Sequence, residues 1–353
     1  MRARAVIGAN FGDEGKGLVT DYLCATEGAG IVVRFNGGAQ AGHTVVTPNG
    51  DRHVFGHFGS GTLAGTPTFL SQFFICNPIV FFRELEKLRE LEIDPVVYAH
   101  PQCLVTTFAD MIINQRKEDG RGEKRHGSCG MGVHETIERS TVISLTLGDL
   151  WNRIGNLESR LAEICDKYAR FRTGASIDEP VMVEAFIKGC WAFADHVQPL
   201  GIAQCRDPIF EGAQGLLLDQ DNKDFFPHVT HSNTGIKNVR ALCAQAKISS
   251  IEAYYVSRTY LTRHGAGPLP GENATMKFED TTNTDHPYQG RLRFAPLDSG
   301  LETRCAADAG TNEMSIVLTH CDQLSPNQSA TLISSGPTRA DVAFTPARKR
   351  LFA

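Results

Sequence analysis

Ala5-Val6-Ile7-Gly8, then Asn10-Phe11-Gly12-Asp13-Glu14-Gly15-Lys16-Gly17, then Leu18 to Cys24 follow one another with Ala9 as the sole spacer. The first stretch is a short apolar run that suits a buried strand. The second is rich in glycine and charge, and the third repeats apolar residues at helical spacing. A second apolar run, Ile31-Val32-Val33-Arg34-Phe35, enters another loop, Asn36 to His43. Strand, loop, helix, strand at this spacing predicts an α/β fold with a mainly parallel central sheet, crossover helices and a P-loop-like phosphate loop.

The rest of the chain extends that pattern. Asn77-Pro78 opens a helix, because Asn caps and Pro suits the first turn, and Phe81, Leu85, Leu88 and Leu91 recur on one face. Asn114 to Gly132 is polar, basic and glycine-rich, which predicts a mobile surface loop. Helices are expected over 156–171, with Leu157, Leu161, Ile164 and Tyr168 on one face, and over 179–196. Pro208-Ile209-Phe210 reads as a buried strand, 251–261 as β-rich, and Ser315 to Thr319 as a late core strand. The polar stretch 271–298 is too long to be idle in a compact domain. With no repeat or linker in sight, residues 1–353 are expected to form a single large domain with inserted active-site loops.

Composition narrows the function. The 353 residues are 41% hydrophobic and 21% charged, which excludes a disordered chain. The net charge of −5 argues against nucleic acid as a partner, and no apolar stretch is long enough to span a membrane. The 10 cysteines form no CxxC pair and show no zinc spacing, so reduced thiols and a cytoplasmic location are expected.

Gly12 to Gly17 carries the chemistry. Backbone N–H groups in such a loop curl around phosphate oxygens, the helix start adds a positive field, and Lys16 supplies a point charge. A standard P-loop would have Gly at Asn10 and a hydroxyl at Gly17. A magnesium ligand must then come from elsewhere, and Asp13 is the nearest candidate. Two adjacent carboxylates, Asp13 and Glu14, would repel an anion unless a metal or a proton transfer held them there. The second loop, Gly37-Gly38-Ala39-Gln40-Ala41-Gly42-His43-Thr44, falls on the same sheet edge, where ligands bind in open α/β sheets. There His43 can serve as general acid or electrophile.

These two loops resemble those of the adenylosuccinate synthetase family. The resemblance continues in order through Glu211 to Asp219, Val229 to Thr234, Thr262 to Pro268, and Gly336-Pro337-Thr338-Arg339. It implies a homodimeric, NTP-dependent carbon–nitrogen ligase using Mg²⁺. The γ-phosphoryl of GTP (or ATP or dATP) moves onto O6 of a 6-oxopurine monophosphate, and the amine of L-aspartate then displaces it. By the same resemblance Asp13 is the base at N1, Lys16 holds phosphates, His43 stabilises the transferring phosphoryl, and Asp13 with the Gly42 carbonyl binds the metal. The donor site would take Gly12, Glu14, Gly15, Lys16, Gly17, Gly42, Thr44, Asp322, Ser334, Gly336 and Pro337. The monophosphate site would take Asp13, Gln40, Ser128, Cys129, Arg139, Gln214 and Thr234, with Arg139 supplied across the dimer. Arg291 and Arg293 would hold aspartate.

The departures gather around the monophosphate and aspartate sites. The family usually has Thr-Thr where this chain has Ser128-Cys129, and its arginine-rich aspartate loop is shortened here to Gln289 to Asp298. Thr319-His320-Cys321-Asp322 replaces a Thr-Lys-x-Asp motif but keeps the acidic residue that reads guanine. An intact phosphoryl-transfer core beside a changed acceptor pocket resembles the viral N6-succino-2-amino-2′-deoxyadenylate synthases of this family. That implies dGMP as acceptor and a host cytoplasm. IMP is the alternative, and a non-catalytic nucleotide-binding relative is the alternative of another class.

Overall fold

The computed structural model describes residues 2–168, 180–280, 282–283 and 290–345. Its centre is a ten-stranded sheet in the order β16-β15-β14-β11-β1-β10-β2-β5-β7-β9. In chain order these strands are β1 (Arg2–Gly8), β2 (Ile31–Arg34), β5 (Thr68–Leu70), β7 (Val97–Ala99), β9 (Gln198–Pro199), β10 (Pro208–Glu211), β11 (Ser250–Arg258), β14 (Glu313–Thr319), β15 (Leu332–Ser334) and β16 (Val342–Phe344). All neighbours are parallel except the edge pair β15–β16. Three two-stranded ribbons lie outside it: β3 (His43–Val46) with β4 (Arg52–Phe55), β6 (Ile75–Cys76) with β8 (Leu104–Val105), and β12 (Tyr260–His264) with β13 (Leu292–Pro296).

The helices among the described residues are α1 (Lys16–Glu27), α2 (Pro78–Glu90), α3 (Phe108–Arg121), α4 (Val133–Ser140), α5 (Leu147–Trp151), α6 (Leu157–Lys167), α7 (Pro180–His196), α8 (Lys237–Ala246) and α9 (Leu301–Ala309). The expected starts and strands recur: Asn77 caps α2 by accepting from the amides of Ile79 and Val80, and β10 and β14 are the buried strands read from their apolar runs. Residues 169–171 and Glu179, placed in helices by the sequence, lie outside the described residues. None of the 10 cysteines is in a disulfide.

Asn114 to Gly132 is the clearest correction. Its stretch from Asn114 to Arg121 is helix, because α3 runs to Arg121 from a capping box in which Thr107 and Asp110 satisfy each other's orphan groups. The buried face of α3 carries Asp110, Asn114 and Glu118 at four-residue spacing, all polar, so apolar periodicity had no purchase there. The 271–298 stretch is also not all loop, since β13 pairs antiparallel with β12 and sets Arg293 opposite Arg263.

The sheet's C-terminal edge makes the site. β1, β2, β10, β11 and β14 end at Gly8, Arg34, Glu211, Arg258 and Thr319, and the loops that follow face one cavity of about 940 Å³. Gly8 must be glycine here, since a Cβ would stand 2.2 Å from the Glu14 carboxylate and 2.4 Å from the Gln214 carbonyl.

Candidate active site

The first loop separates its two carboxylates. Glu14 turns inward and is 2% exposed; its Oε1 accepts from the amides of Asn10 (2.7 Å) and Gly12 (3.1 Å), and its Oε2 from Lys16 Nζ (3.1 Å). The loop thus carries its own buried anion, and Lys16 neutralises it. Asp13 faces the cavity with φ 60, and Arg258 holds its carbonyl at 2.5 Å. Thr319 of β14 fastens the Glu14 carbonyl at 2.8 Å.

Opposite stands His43, the first residue of β3. Its Nδ1 donates to Glu211 Oε1 at 2.7 Å, which leaves Nε2 as the second ring nitrogen. Glu211, at the end of β10, also accepts from the Ser60 amide and hydroxyl and lies 3.8 Å from Arg34. Burial opposes its ionisation, yet the field of Arg34 and the hydrogen bonds from His43 and Ser60 prevail and hold it down at about 2. For His43, burial wins over the pull of Glu211 and lowers its pKa, so a neutral imidazole awaits an anion.

The cavity is lined by the expected Gly12, Asp13, Glu14, Gly15, Lys16, Gly17, Gln40, Gly42, His43, Thr44, Ser128, Cys129, Gln214, Asp322, Gly336 and Pro337. Three of their buried oxygens, Gln40 Oε1, Gln214 Oε1 and Thr44 Oγ1, have no hydrogen-bond partner among the described residues, as expected of groups awaiting a ligand. Magnesium bound largely through substrate phosphates asks for one or two protein oxygens. The Asp13 carboxylate, which accepts no hydrogen bond from the described residues, and Gly42, which supplies a carbonyl, both line the cavity and fit that demand. Among the described residues no cluster of three His, Cys, Asp or Glu forms a metal cage.

Five expected residues lie elsewhere. Arg139 is fully buried, with Nε on Asp110 (3.0 Å) and its terminal nitrogens on the Ile143 (2.7 Å) and Val105 (2.8 Å) carbonyls. Within its own chain the guanidinium is thus spent on Asp110, so giving it in trans to a second subunit's ligand would leave that buried carboxylate uncompensated. Thr234 is fully buried below the wall, its hydroxyl given to the Gly215 carbonyl. Ser334 is fully buried and donates to the Gly336 carbonyl at 2.7 Å, shaping the turn instead of lining the cavity. Arg293 is spent on Glu272 and on the carbonyls of Gly265 and Gly267. Arg291 is exposed and off the cavity wall, while Thr281 and 284–289 of the expected aspartate segment lie outside the described residues.

Sequence reasoning missed Glu211, Arg258 and Arg263 as site groups. Arg263 lines the cavity between Phe11 (4.6 Å) and Phe225 (5.4 Å); burial, with Arg293 opposite, lowers it to about 10. A carboxylate closing the fully buried run Pro208-Ile209-Phe210-Glu211 was the available signal, because such a charge demands a partner.

Comparison with known proteins fits this geometry. The adenylosuccinate synthetase family model matches residues 5–328. The adenylosuccinate synthetase of Pseudomonas fluorescens (strain SBW25) is 32% identical over 282 residues, 76% of this chain and 64% of the relative. That of Pseudomonas putida (strain W619) is 31% identical over 283 residues, with the same shares. The chain thus spans under two thirds of the length of these curated relatives. Fully ligated adenylosuccinate synthetase from Plasmodium falciparum superposes with a TM-score of 0.72 at 22% identity, covering 94% of this chain and 79% of that one. The succinoaminodeoxyadenylate synthetase of cyanophage S-2L, bound to dGMP and to dATP as an energy donor, gives 0.64 at 16%, covering 99% and 97%. These two likenesses concern the fold. With its family-model match running from within β1 to beyond β14, this chain belongs to the adenylosuccinate synthetase family.

Proposed function

We propose that the protein is a nucleotide-dependent carbon–nitrogen ligase that joins L-aspartate to C6 of a 6-oxopurine nucleoside 5′-monophosphate, with GTP as donor and dGMP as acceptor. The observation that carries this reading is the shared cavity of Asp13 and the Glu211-aimed His43, with unpartnered amide oxygens of Gln40 and Gln214 between the loops.

Asp13 takes the N1 proton of the base, which sends negative charge to O6. O6 then attacks the γ-phosphorus, the bond to the β-bridging oxygen breaks, and GDP leaves. Lys16 and the amides of the first loop hold donor phosphates. His43, neutral before the donor arrives, is turned by that anion toward the charged form and donates through Nε2 to the transferring phosphoryl. The aspartate amine next attacks C6 and expels inorganic phosphate, whose departing charge His43 meets again. Asp13 and the Gly42 carbonyl would hold Mg²⁺, which would supply charge neutralisation on the phosphates.

The choice of dGMP rests on the altered Ser128-Cys129 pair and the shortened 289–298 segment. IMP is the competing acceptor, favoured by the 32% identity to bacterial adenylosuccinate synthetases and by the retained Asp13. A substrate matrix of IMP, GMP, dGMP and dIMP against GTP, ATP and dATP decides. Phosphate release only when monophosphate and aspartate are both present is expected, with kcat/KM highest for dGMP. Higher kcat/KM for IMP returns the protein to adenylosuccinate synthesis, and nucleotide binding without turnover makes it a non-catalytic relative.

A further inference from the structure

Two segments that face each other across the cavity, one running into α4 and one carrying 226–234, meet through histidines. His134 and His231 stack at 3.7 Å with their planes 24° apart, and His126 and His228 meet edge to face at 5.9 Å. All four line the cavity. His134 Nδ1 is buried and has no hydrogen-bond partner, while its Nε2 lies 3.9 Å from Glu138. One face of each stacked ring is taken by the other, so ring nitrogens are what the pair has left for a ligand's polar atoms.

The acceptor's phosphate needs such groups, because several of the donors nearby are committed. Arg139 is locked on Asp110. The amides of His126, Gly127 and Ser128 form a nest whose occupant is the Glu118 carboxylate, at 3.1, 3.1 and 3.4 Å, and Arg121 pairs with that same carboxylate. The Ser128 hydroxyl is given to Asn114 at 2.7 Å. Lys117 of α3 sits 3.2 Å from Glu135 and 3.4 Å from Glu138, which offsets the two carboxylates that would oppose an incoming anion.

We propose that the His134–His231 pair is the phosphate-recognition element of the acceptor subsite, taking the 5′-phosphate of a nucleoside monophosphate; this rests on the acceptor reading above. Two cationic imidazoles cannot share a 3.7 Å stack, so the free pair holds at most one proton. Burial lowers both, Lys117, Arg121 and His126 lower His134 further, and Glu135 and Glu138 pull the other way. A bound dianion draws a proton onto the pair, and His134 Nδ1 then becomes a donor. Phosphate binding is accompanied by proton uptake near pH 7.

The test is calorimetric titration of the full chain at pH 7, in buffers of different ionisation enthalpy. Ligands are dGMP and IMP, each against its unphosphorylated nucleoside. Wild type should prefer monophosphate and take up a proton. His134→Asn/His231→Asn should weaken monophosphate by about 10- to 100-fold, leave nucleoside unchanged and abolish the uptake. His134→Phe/His231→Phe keeps the stack and should not rescue; thermal melting checks that both variants fold. Variants that keep the wild-type monophosphate preference and uptake overturn the proposal, as does full rescue by the Phe pair, which would make the stack purely structural. A wild type that binds no monophosphate fails at the acceptor reading itself and takes the proposal with it.

Discussion

Asp13 and Glu14 are neighbours with opposite fates, and the difference is one of solvation. Glu14 is buried against two amides and Lys16, while Asp13 stays at the cavity with its carboxylate uncommitted. Asp13→Asn and His43→Asn should each lower kcat by about 10²–10⁴-fold with the fold intact, since the proposed general base and transition-state donor would be lost. Single-turnover phosphate release checks this, and near-normal rates in either variant would remove it from the mechanism. Asp322 lines the cavity and is exposed, which leaves it available to two donors of guanine under the proposed function. Asp322→Asn should narrow the GTP-over-ATP preference in kcat/KM by ~10- to 100-fold, the worth of hydrogen bonds to a charged acceptor. An unchanged ratio would mean that another group reads the base.

At the scale of elements, α3 does more than its composition suggests. Asp110 anchors Arg139 of α4 and the Tyr168 hydroxyl at 2.9 Å, Asn114 holds Ser128, and Glu118 holds three backbone amides of the 126–132 loop. The helix is a polar spine on which the 126–132 loop is hung. Because Arg139 and Asp110 are both fully buried, Arg139→Met should destabilise by ~3–5 kcal/mol by stranding a buried carboxylate. Asp110→Leu/Arg139→Met, which removes both charges, should recover much of the loss. Denaturant unfolding of the two variants measures it; a purely intersubunit Arg139 would give a small stability change in the monomer.

For the whole molecule, buried charge sets the response to pH. Glu84 and Glu211 are both held at about 2 despite burial, the first by His53 and His57 and the second by His43 and Arg34. Their contribution is present above the ordinary carboxylate range and is lost as pH falls toward 2. Asp21, fully buried beneath the phosphate loop, goes the other way. Burial raises it to about 6, against the pull of Arg339 at 3.3 Å. The folded state then holds a proton that the unfolded chain releases near pH 4, so stability from this group falls as pH rises from about 4 through 6. Asp21→Asn should therefore gain on wild type across that window by up to roughly 3 kcal/mol and run parallel to it above pH 7. Melting curves of both proteins from pH 4 to 8 test the sign; a constant difference would mean that Asp21 is ionised throughout.

What the sequence determined by itself was local. The strand–loop–helix at 2–27, the buried strands β10 and β14, the cap of α2 and the residues of both glycine loops follow from short-range propensity and spacing, and the ordered motifs led to the family. What it could not contain was which polar side chains are spent inside the protein. Arg139, Arg293, Thr234 and Ser334 look like ligand donors as residue types, yet each finds its partners within the fold, 4 to 34 residues away for Arg139, 21 to 28 for Arg293 and as near as two for Ser334. Asp110, Asn114 and Glu118 hid a helix because a buried face can be polar when every group on it is paired. His134 and His231 become a pair only when segments nearly a hundred residues apart close on one cavity. A hydrogen bond is decided by three-dimensional proximity and by desolvation, and both are settled by tertiary packing.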